Sequence, residues 1–329
     1  MRVLVCHRLD EQVMQAIEEF PGIEVTVWQQ AGPMPRQAFL EQLARAEVAL
    51  TMLTEQVDEE ALSHAPHLRL VANVAVGFDN FDLPALTRHG VMATNTPGVL
   101  TEATADIAFG LMLVAVRGMW AASQAMRRGE WRGWSPTAFL GRDLAGLRLG
   151  IIGYGRIGEA VARRALAVGM LVAAVKPRHR AVEPLPGVEW WERERLVRES
   201  DVISLHVPAT AETYHLCDDA FFAQMKPGAW LINTARGSVV DTAALLRALD
   251  SGRLAGAGLD VFEEEPLPAD HPLFHYPQVV MTPHIGSATV ETRRRMAARA
   301  WDNVVDFLSG RPPRDLLNPS VWQGQPDSL

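Results

Sequence analysis

Short runs rich in Val, Ile, Leu and Ala alternate along the chain with longer stretches in which apolar residues recur every third or fourth position. A strand buried on both faces reads as a continuous apolar run and a surface helix as a stripe, so the alternation predicts parallel strands covered by helices. In the amino-terminal part the predicted strands are Val3–Cys6, Glu24–Val27, Val48–Met52, Leu70–Val74 and Val91–Thr94. Between them, Arg36–Ala46 places Phe39, Leu40, Leu43 and Ala44 on one helical face. One long helix is predicted over Thr101–Arg128, with Glu102 and Asp106 near its start, Arg127 and Arg128 at its end and Gly129 as its stop.

Past a connector containing Trp131, Gly133, Trp134 and Pro136, a second alternating block begins. Its predicted strands are Arg148–Ile152, Leu171–Val175, Val202–Leu205, Trp230–Asn233, Gly256–Val261 and Val279–Thr282. A final helix over Thr289–Leu308 ends before Gly310-Arg311-Pro312-Pro313, and the polar tail from Asn318 onward reads as loose. The fold class expected is α/β, with doubly wound parallel sheets.

Length and composition narrow this further. At 329 residues the chain fits a prior of about 150 residues per domain twice over. With 48% hydrophobic and 21% charged residues it can bury a sizeable core. A formal net charge of −8 disfavours a nucleic-acid partner, whose phosphates need a basic footprint. Cys6 and Cys217 cannot build a disulfide framework or fill a zinc site, which points to a reducing, cytoplasmic setting. The longest apolar run, Ile107–Val116, is ten residues, whereas a membrane span needs about 20. The apolar stretch at the amino end, Val3–Cys6, is too short for a signal-peptide core. His7, His64, His67, His206 and His215 show no metal-ligand spacing, so no metal is expected.

The segment Gly153-Tyr154-Gly155-Arg156-Ile157-Gly158 follows a predicted strand and opens a predicted helix, Glu159–Val168, which is the context a dinucleotide loop requires. Gly153 permits the tight turn, Gly155 lets the backbone approach a pyrophosphate, and Gly158 allows the helix to pack closely on the strand. Free amides at the helix start face the phosphates. NAD sites carry Asp or Glu at the end of the next strand, to bond the ribose hydroxyls. Here that strand runs into Lys176-Pro177-Arg178-His179-Arg180. A cation there attracts the 2′-phosphate of NADP by up to about 4 kcal/mol at contact. NADP(H) is therefore the preferred cofactor, with NAD(H) left open.

Three later strands end in loops bearing chemistry: Asn233-Thr234-Ala235-Arg236-Gly237, Gly258–Pro266 with Asp260, Glu263, Glu264 and Glu265, and Pro283-His284-Ile285-Gly286-Ser287. Ligands in open α/β sheets bind outside the carboxyl ends of strands, where these residues emerge.

Together with the glycine loop, these segments resemble the D-isomer-specific 2-hydroxy acid dehydrogenase family, over nearly the whole chain. The resemblance implies two Rossmann-like domains with an interdomain cleft: a discontinuous substrate-binding domain, 1–99 with 288–329, and an inserted dinucleotide-binding domain, 100–287. It implies hydride transfer between a nicotinamide and C2 of a 2-keto acid. Arg236 would bind the substrate carboxylate and carbonyl, His284 would be the acid that protonates the alkoxide, and Glu265 would be its carboxylate partner. The resemblance also selects Glu265 among the three glutamates, because the family's glutamate lies five positions after the strand-end Asp, here Asp260, and just before a proline, here Pro266.

Physical chemistry agrees with these roles. A guanidinium fork matches a carboxylate, and an imidazole beside a carboxylate favours its charged form and so keeps a proton available near neutrality. The resemblance also places Asp260 and Thr104 beside the nicotinamide and His206, Val207, Pro208 and Thr213 along the adenosine, and counts Thr234, Ala235 and Gly286 among the cofactor-binding residues. The amides of Val76 and Gly77, in Asn73–Asn80, would grip the substrate carboxylate. Asn95–Asp106 resembles the glyoxylate/hydroxypyruvate reductase branch most. A small substrate wants a tight pocket, with Leu53 and Trp134 as candidate walls, Trp134 as a connector residue or one supplied across a homodimer. Two alternatives stand beside this: a phosphite dehydrogenase-like oxidoreductase, which resembles the chain in the Trp131–Trp134 connector but carries a lysine where this chain has Val76, and a dinucleotide-sensing corepressor or scaffold on the same fold.

Overall fold

The apolar runs of the amino-terminal part lie side by side as β1 (Arg2–Val5), β2 (Glu24–Val27), β3 (Val48–Thr51), β4 (Leu70–Asn73) and β5 (Met92–Thr94), all parallel, in the order β2-β1-β3-β4-β5. The computed structural model describes residues 1–30, 32–177 and 182–322, and the chain divides into two units, Met1–Leu100 with Ala288–Leu329, and Thr101–Ser287. In the first unit β3 and β4 are buried along their whole length, as continuous apolar strands must be. Helices α1 (Glu11–Glu18), α2 (Arg36–Leu43), α3 (Glu59–His64) and α4 (Leu83–Arg88) connect the strands. Asp10, Asp58 and Asp82 cap three of them by accepting backbone N–H groups of Gln12, Ala61 and Ala85.

The second unit opens with α5 (Thr101–Val116) and α6 (Met119–Arg127). The single helix expected over Thr101–Arg128 is thus two, bent by 70° at Gly118, which sits at φ +63 and cannot continue a right-handed helix there. Among the described residues no single helix is long and apolar enough to cross a membrane. The sheet that follows comprises β6 (Arg148–Ile152), β7 (Leu171–Val175), β8 (Val188–Trp191), β9 (Val202–Leu205), β10 (Ala229–Asn233), β11 (Leu254–Leu259) and β12 (Val279–Met281). Its order is β12-β11-β10-β9-β6-β7-β8, with α7 (Arg156–Ala167), α8 (Arg193–Glu199), α9 (Asp219–Gln224) and α10 (Thr242–Asp250) between strands. The chain winds outward from β6 to β8, then returns to β9 and winds the other way. The ends of β6 and β9 therefore flank the topological switch point where such sheets bind ligands.

Strand β8 is absent from the sequence prediction. It lies at the sheet edge, and Glu189 breaks its apolar run. Helix α7 begins at Arg156 rather than Glu159, so Arg156, Ile157 and Gly158 form its first turn. Helix α5 lies close on the sheet: a Cβ on Gly258 would stand 2.9 Å from the Leu111 Cβ.

The last helix, α11 (Val290–Leu308), belongs to the first unit, where Trp301, Val304 and Phe307 are buried with β1, β3 and β4 residues. The described start of the tail is not loose. Asn318 is buried, its Oδ1 accepting Ala93 N–H at 2.9 Å and its Nδ2 donating to Val91 O at 2.9 Å. A polar side chain here satisfies an edge-strand backbone, which composition alone reads as solvated.

Candidate active site

At the end of β6, Gly153 has φ +99, and a Cβ there would lie 2.5 Å from the carbonyl carbon of His206 at the end of β9. The switch point is closed backbone on backbone. The Gly155 N–H donates to Gly153 O at 2.9 Å, completing the turn. Beside Gly155 a Cβ would meet nothing within 4 Å, whereas on Gly158 it would lie 2.4 Å from Gly153 O. The two glycines thus play different parts, since Gly155 leaves open space at the start of α7 and Gly158 lets α7 seat against the turn. First-turn amides of Arg156, Ile157 and Gly158 have no partner within a helix, and the dipole makes this end electropositive. That combination suits a pyrophosphate.

Tyr154 does not serve the loop with its side chain. It is buried in the core, its hydroxyl accepting Leu185 N–H at 3.2 Å and its ring edge-on to Trp190 at 5.0 Å. Lys176 is exposed just past β7, while Arg178 and Arg180 lie outside the described residues. His206 Nε2 pairs with Ser204 Oγ at 2.9 Å, and desolvation pushes its pKa down to about 4, so the ring is neutral and adds no charge. Val207 packs against the core, and Thr213 Oγ1 donates to Pro208 O at 2.6 Å. These residues shape the loop after β9.

The turn after β10 is built by Asn233. Its Oδ1 accepts Ala235 N–H at 3.0 Å and its Nδ2 donates to Arg236 O at 2.9 Å. Arg236 is extended (φ −144, ψ 146) and donates from Nη1 to Ala235 O at 2.8 Å. The neighbouring Thr234 hydroxyl is buried without a hydrogen-bond partner, a polar group suited to a ligand.

After β11, Asp260 organises the loop after β12. Its Oδ1 accepts Thr282 Oγ1–H at 2.6 Å and Ile285 N–H at 2.8 Å, and its carbonyl accepts His284 N–H at 2.9 Å. Burial raises the Asp260 pKa, although these bonds and the His284 charge oppose it. Thr104 of α5 donates its hydroxyl to Gly286 O at 3.0 Å, tying the same loop from the other side.

Held this way, His284 adopts φ +50 and brings Nδ1 to 2.7 Å from Glu265 Oε2. The other oxygen, Oε1, accepts Phe262 N–H at 2.9 Å. Partial burial alone would raise the Glu265 pKa. Hydrogen bonds from His284 and Phe262, with the charges of His284 and Arg236, hold it below the ordinary carboxylate value. Glu265 is therefore ionised near neutrality, and His284 is left with Nε2 to exchange a proton. Glu263 is engaged elsewhere, with His215 and Thr242. The structure brings Glu265, not Glu263, to His284.

In the first unit, Thr96 N–H donates to Ala75 O at 2.8 Å and Asn95 Nδ2 to Val76 O at 2.7 Å. A trans peptide points its N–H opposite its C=O, so these bonds turn the Val76 and Gly77 amides away from Thr96 and Asn95. Asn73 Nδ2 donates to Gly77 O at 3.1 Å and to Asn80 Oδ1 at 3.0 Å, while Asn80 Nδ2 donates to Met52 O and Glu55 O. These asparagines were not among the predicted site residues, although Asn at a strand end is a signal for such turns. Leu53, on the loop after β3, is 36% exposed, and Trp134 is 86% exposed.

The model of a family described as D-isomer specific 2-hydroxyacid dehydrogenase, NAD binding domain, matches residues 109–286. A glyoxylate reductase from Thermococcus litoralis is 44% identical over 330 aligned positions, covering 99% of each chain. A solved structure of a protein from Thermus thermophilus superposes with a TM-score of 0.90 at 44% identity, covering 96% of this chain and 100% of that one. The structure of an NADPH-dependent glyoxylate/hydroxypyruvate reductase from Sinorhizobium meliloti, in complex with NADP and malonate, superposes with a TM-score of 0.83 at 31% identity, covering 100% of this chain and 99% of that one.

Proposed function

The chain belongs to the D-isomer specific 2-hydroxyacid dehydrogenase family, and from that premise we propose that it uses NADPH to reduce a small 2-keto acid, glyoxylate or hydroxypyruvate, to the D-2-hydroxy acid. The observation that carries this reading is the 2.7 Å Glu265–His284 pair with the Arg236 charge beside it, on the same sheet edge as the Gly153–Gly158 turn.

Arg236 binds the carboxylate of the keto acid through its planar fork and draws electron density toward the carbonyl oxygen. His284 gives its Nε2 proton to that oxygen as the C=O bond opens, and regains a proton from solvent afterwards. Glu265 holds the Nδ1–H, fixes the ring, and balances the imidazolium charge before transfer. The bound nicotinamide dinucleotide supplies the hydride to C2. The Gly153–Gly158 backbone, Thr234 and Ala235 would hold it, with Pro208 and Thr213 along the adenosine. The Val76 and Gly77 amides and Leu53 are assigned as further substrate-binding groups.

Lys176 supports the NADPH preference, because a cation stands where a carboxylate would repel the 2′-phosphate. Its exposed position screens the contact well below the ~4 kcal/mol limit. The expected outcome is a kcat/KM for NADPH about tenfold or more above that for NADH in glyoxylate reduction, equivalent to about 1.4 kcal/mol. Equal or better efficiency with NADH would remove the preference, and no turnover with any 2-keto acid would point to a dinucleotide sensor instead.

The segment from Met119 to Leu140 exposes Met119, Trp120, Met126, Trp131, Trp134, Phe139 and Leu140, an apolar concentration that suits a second copy of the chain. The homodimer this implies doubles the 36.2 kDa mass in light scattering of the same preparation, and a monomer would count against it. Cys6 and Cys217 are buried free thiols, in keeping with a cytoplasmic setting.

A further inference from the structure

The unit that carries His284 and Glu265 holds a second imidazole–carboxylate pair that the reaction does not use. His215 Nε2 lies 2.6 Å from Glu263 Oε1, and Glu263 Oε2 accepts the Thr242 N–H at 2.8 Å where α10 begins. Partial burial raises the Glu263 pKa, but the Thr242 and His215 bonds outweigh it and keep the carboxyl below its ordinary value. His215 stands at φ +49, with its ring stacked on Tyr214 at 4.0 Å between centroids. A non-glycine residue persists in that backbone region only where its surroundings over-determine it.

Those surroundings are the two catalytic turns. The His215 N–H donates to Ser238 O at 2.8 Å and the Cys217 N–H to Val239 O at 3.0 Å, which joins this segment to the turn that begins at Arg236. The His215 side chain reaches Glu263, two positions before Glu265. Between the turns, a Cβ on Gly237 would lie 1.8 Å from the carbonyl carbon of Phe262. The turns therefore abut backbone to backbone, and at Gly237 no side chain interlocks them.

We propose that His215 and Glu263 are positioning residues that key the Arg236 turn to the Phe262–Pro266 turn, and so set the spacing between the guanidinium and the Glu265–His284 pair. This rests on the reductase reading above. A displacement near 1 Å at the reacting groups costs about a hundredfold in rate. Loss of the key should accordingly appear in the chemical step rather than in cofactor binding.

The test compares Glu263→Ala, Glu263→Gln and His215→Asn in the full-length protein. Readouts are kcat and KM for glyoxylate, NADPH Kd by fluorescence, and the deuterium isotope effect with NADPH labelled at the transferred C4 position. Glu263→Ala and His215→Asn are expected to lower kcat about 10- to 100-fold with NADPH Kd unchanged and a larger isotope effect. Asn at 215 tolerates the left-handed backbone but is too short to reach Glu263, so this variant carries the test if Glu263→Ala fails to fold. Glu263→Gln should return kcat to near the wild-type value without moving the pH profile, because its amide can accept from Thr242 and donate to a neutral His215.

Wild-type kcat and isotope effect in Glu263→Ala or His215→Asn would overturn the inference. So would a Glu263→Gln variant as slow as Glu263→Ala with a displaced pH profile, since charge rather than position would then matter. If wild-type protein itself reduced no keto acid, the reductase reading would fail instead, so the two failures are distinguishable.

Discussion

Replacing His284 with Asn will lower kcat for glyoxylate reduction about 10²- to 10⁴-fold, the range that a positioned general acid contributes. That is about 3–5 kcal/mol of barrier. Asn is the informative replacement because His284 stands at φ +50. Asn enters the left-handed region more readily than most residues, so the turn after β12 is kept. Its amide can still meet Glu265 but has no proton to give. The His284 N–H bonds to Asp260 O and Thr282 O come from the main chain and survive the change. NADPH affinity should therefore stay close to wild type while the decay of absorbance at 340 nm slows. A loss smaller than tenfold would mean that another group protonates the alkoxide.

The second large effect is expected at Arg236. Arg236→Lys retains a positive charge but loses the planar fork, and kcat/KM for glyoxylate should fall about 10²- to 10³-fold, as when a preorganised donor to developing charge is removed. The turn itself is held by Asn233, whose side chain bonds the backbone of Ala235 and Arg236, so the substitution leaves the local chain path in place. Steady-state kinetics with glyoxylate varied at saturating NADPH would show the loss mainly in substrate terms. A Lys variant with wild-type kcat/KM would reduce Arg236 to a point charge and break the carboxylate assignment.

Much of the architecture was legible because buried parallel strands are largely apolar runs: β3, β4 and β9 are buried throughout and β6 is buried after Arg148. The glycine turn was legible for a related reason: strand, glycines and helix follow each other within a few residues. What escaped depends on partners distant in sequence. Edge strand β8 is recognisable only once β7 is beside it. Gly118 reads as one small residue inside a helix, and its left-handed conformation reflects where α5 and α6 must part. Asn318 reads as part of a polar tail until its amide is found on Val91 and Ala93.

At the site, charged residues past the strand ends pointed to Arg236, His284 and the run Glu263–Glu265, and the family resemblance singled out Glu265, but neither showed what folds their loops. Asp260 and Thr104 were expected beside the cofactor, and in the structure their side chains pin the His284 loop. Tyr154 lies within the glycine motif and yet packs into the core, because only the motif's backbone spacing is constrained by a phosphate.

The central claim is that an imidazole held by Glu265 exchanges the proton that accompanies hydride transfer, and its most direct test is a paired pH profile. NADPH-driven glyoxylate reduction and the reverse oxidation of glycolate are measured across neutral pH in wild-type protein, Glu265→Gln and Glu263→Gln. Reduction needs the protonated ring and oxidation the neutral one, so one should fall as the other rises with increasing pH. Removing the ionised Glu265 withdraws support from the imidazolium, so both limbs of Glu265→Gln should move together to lower pH, while Glu263→Gln keeps the wild-type profile. Limbs that stay in place in Glu265→Gln, or that move in Glu263→Gln instead, would contradict the account.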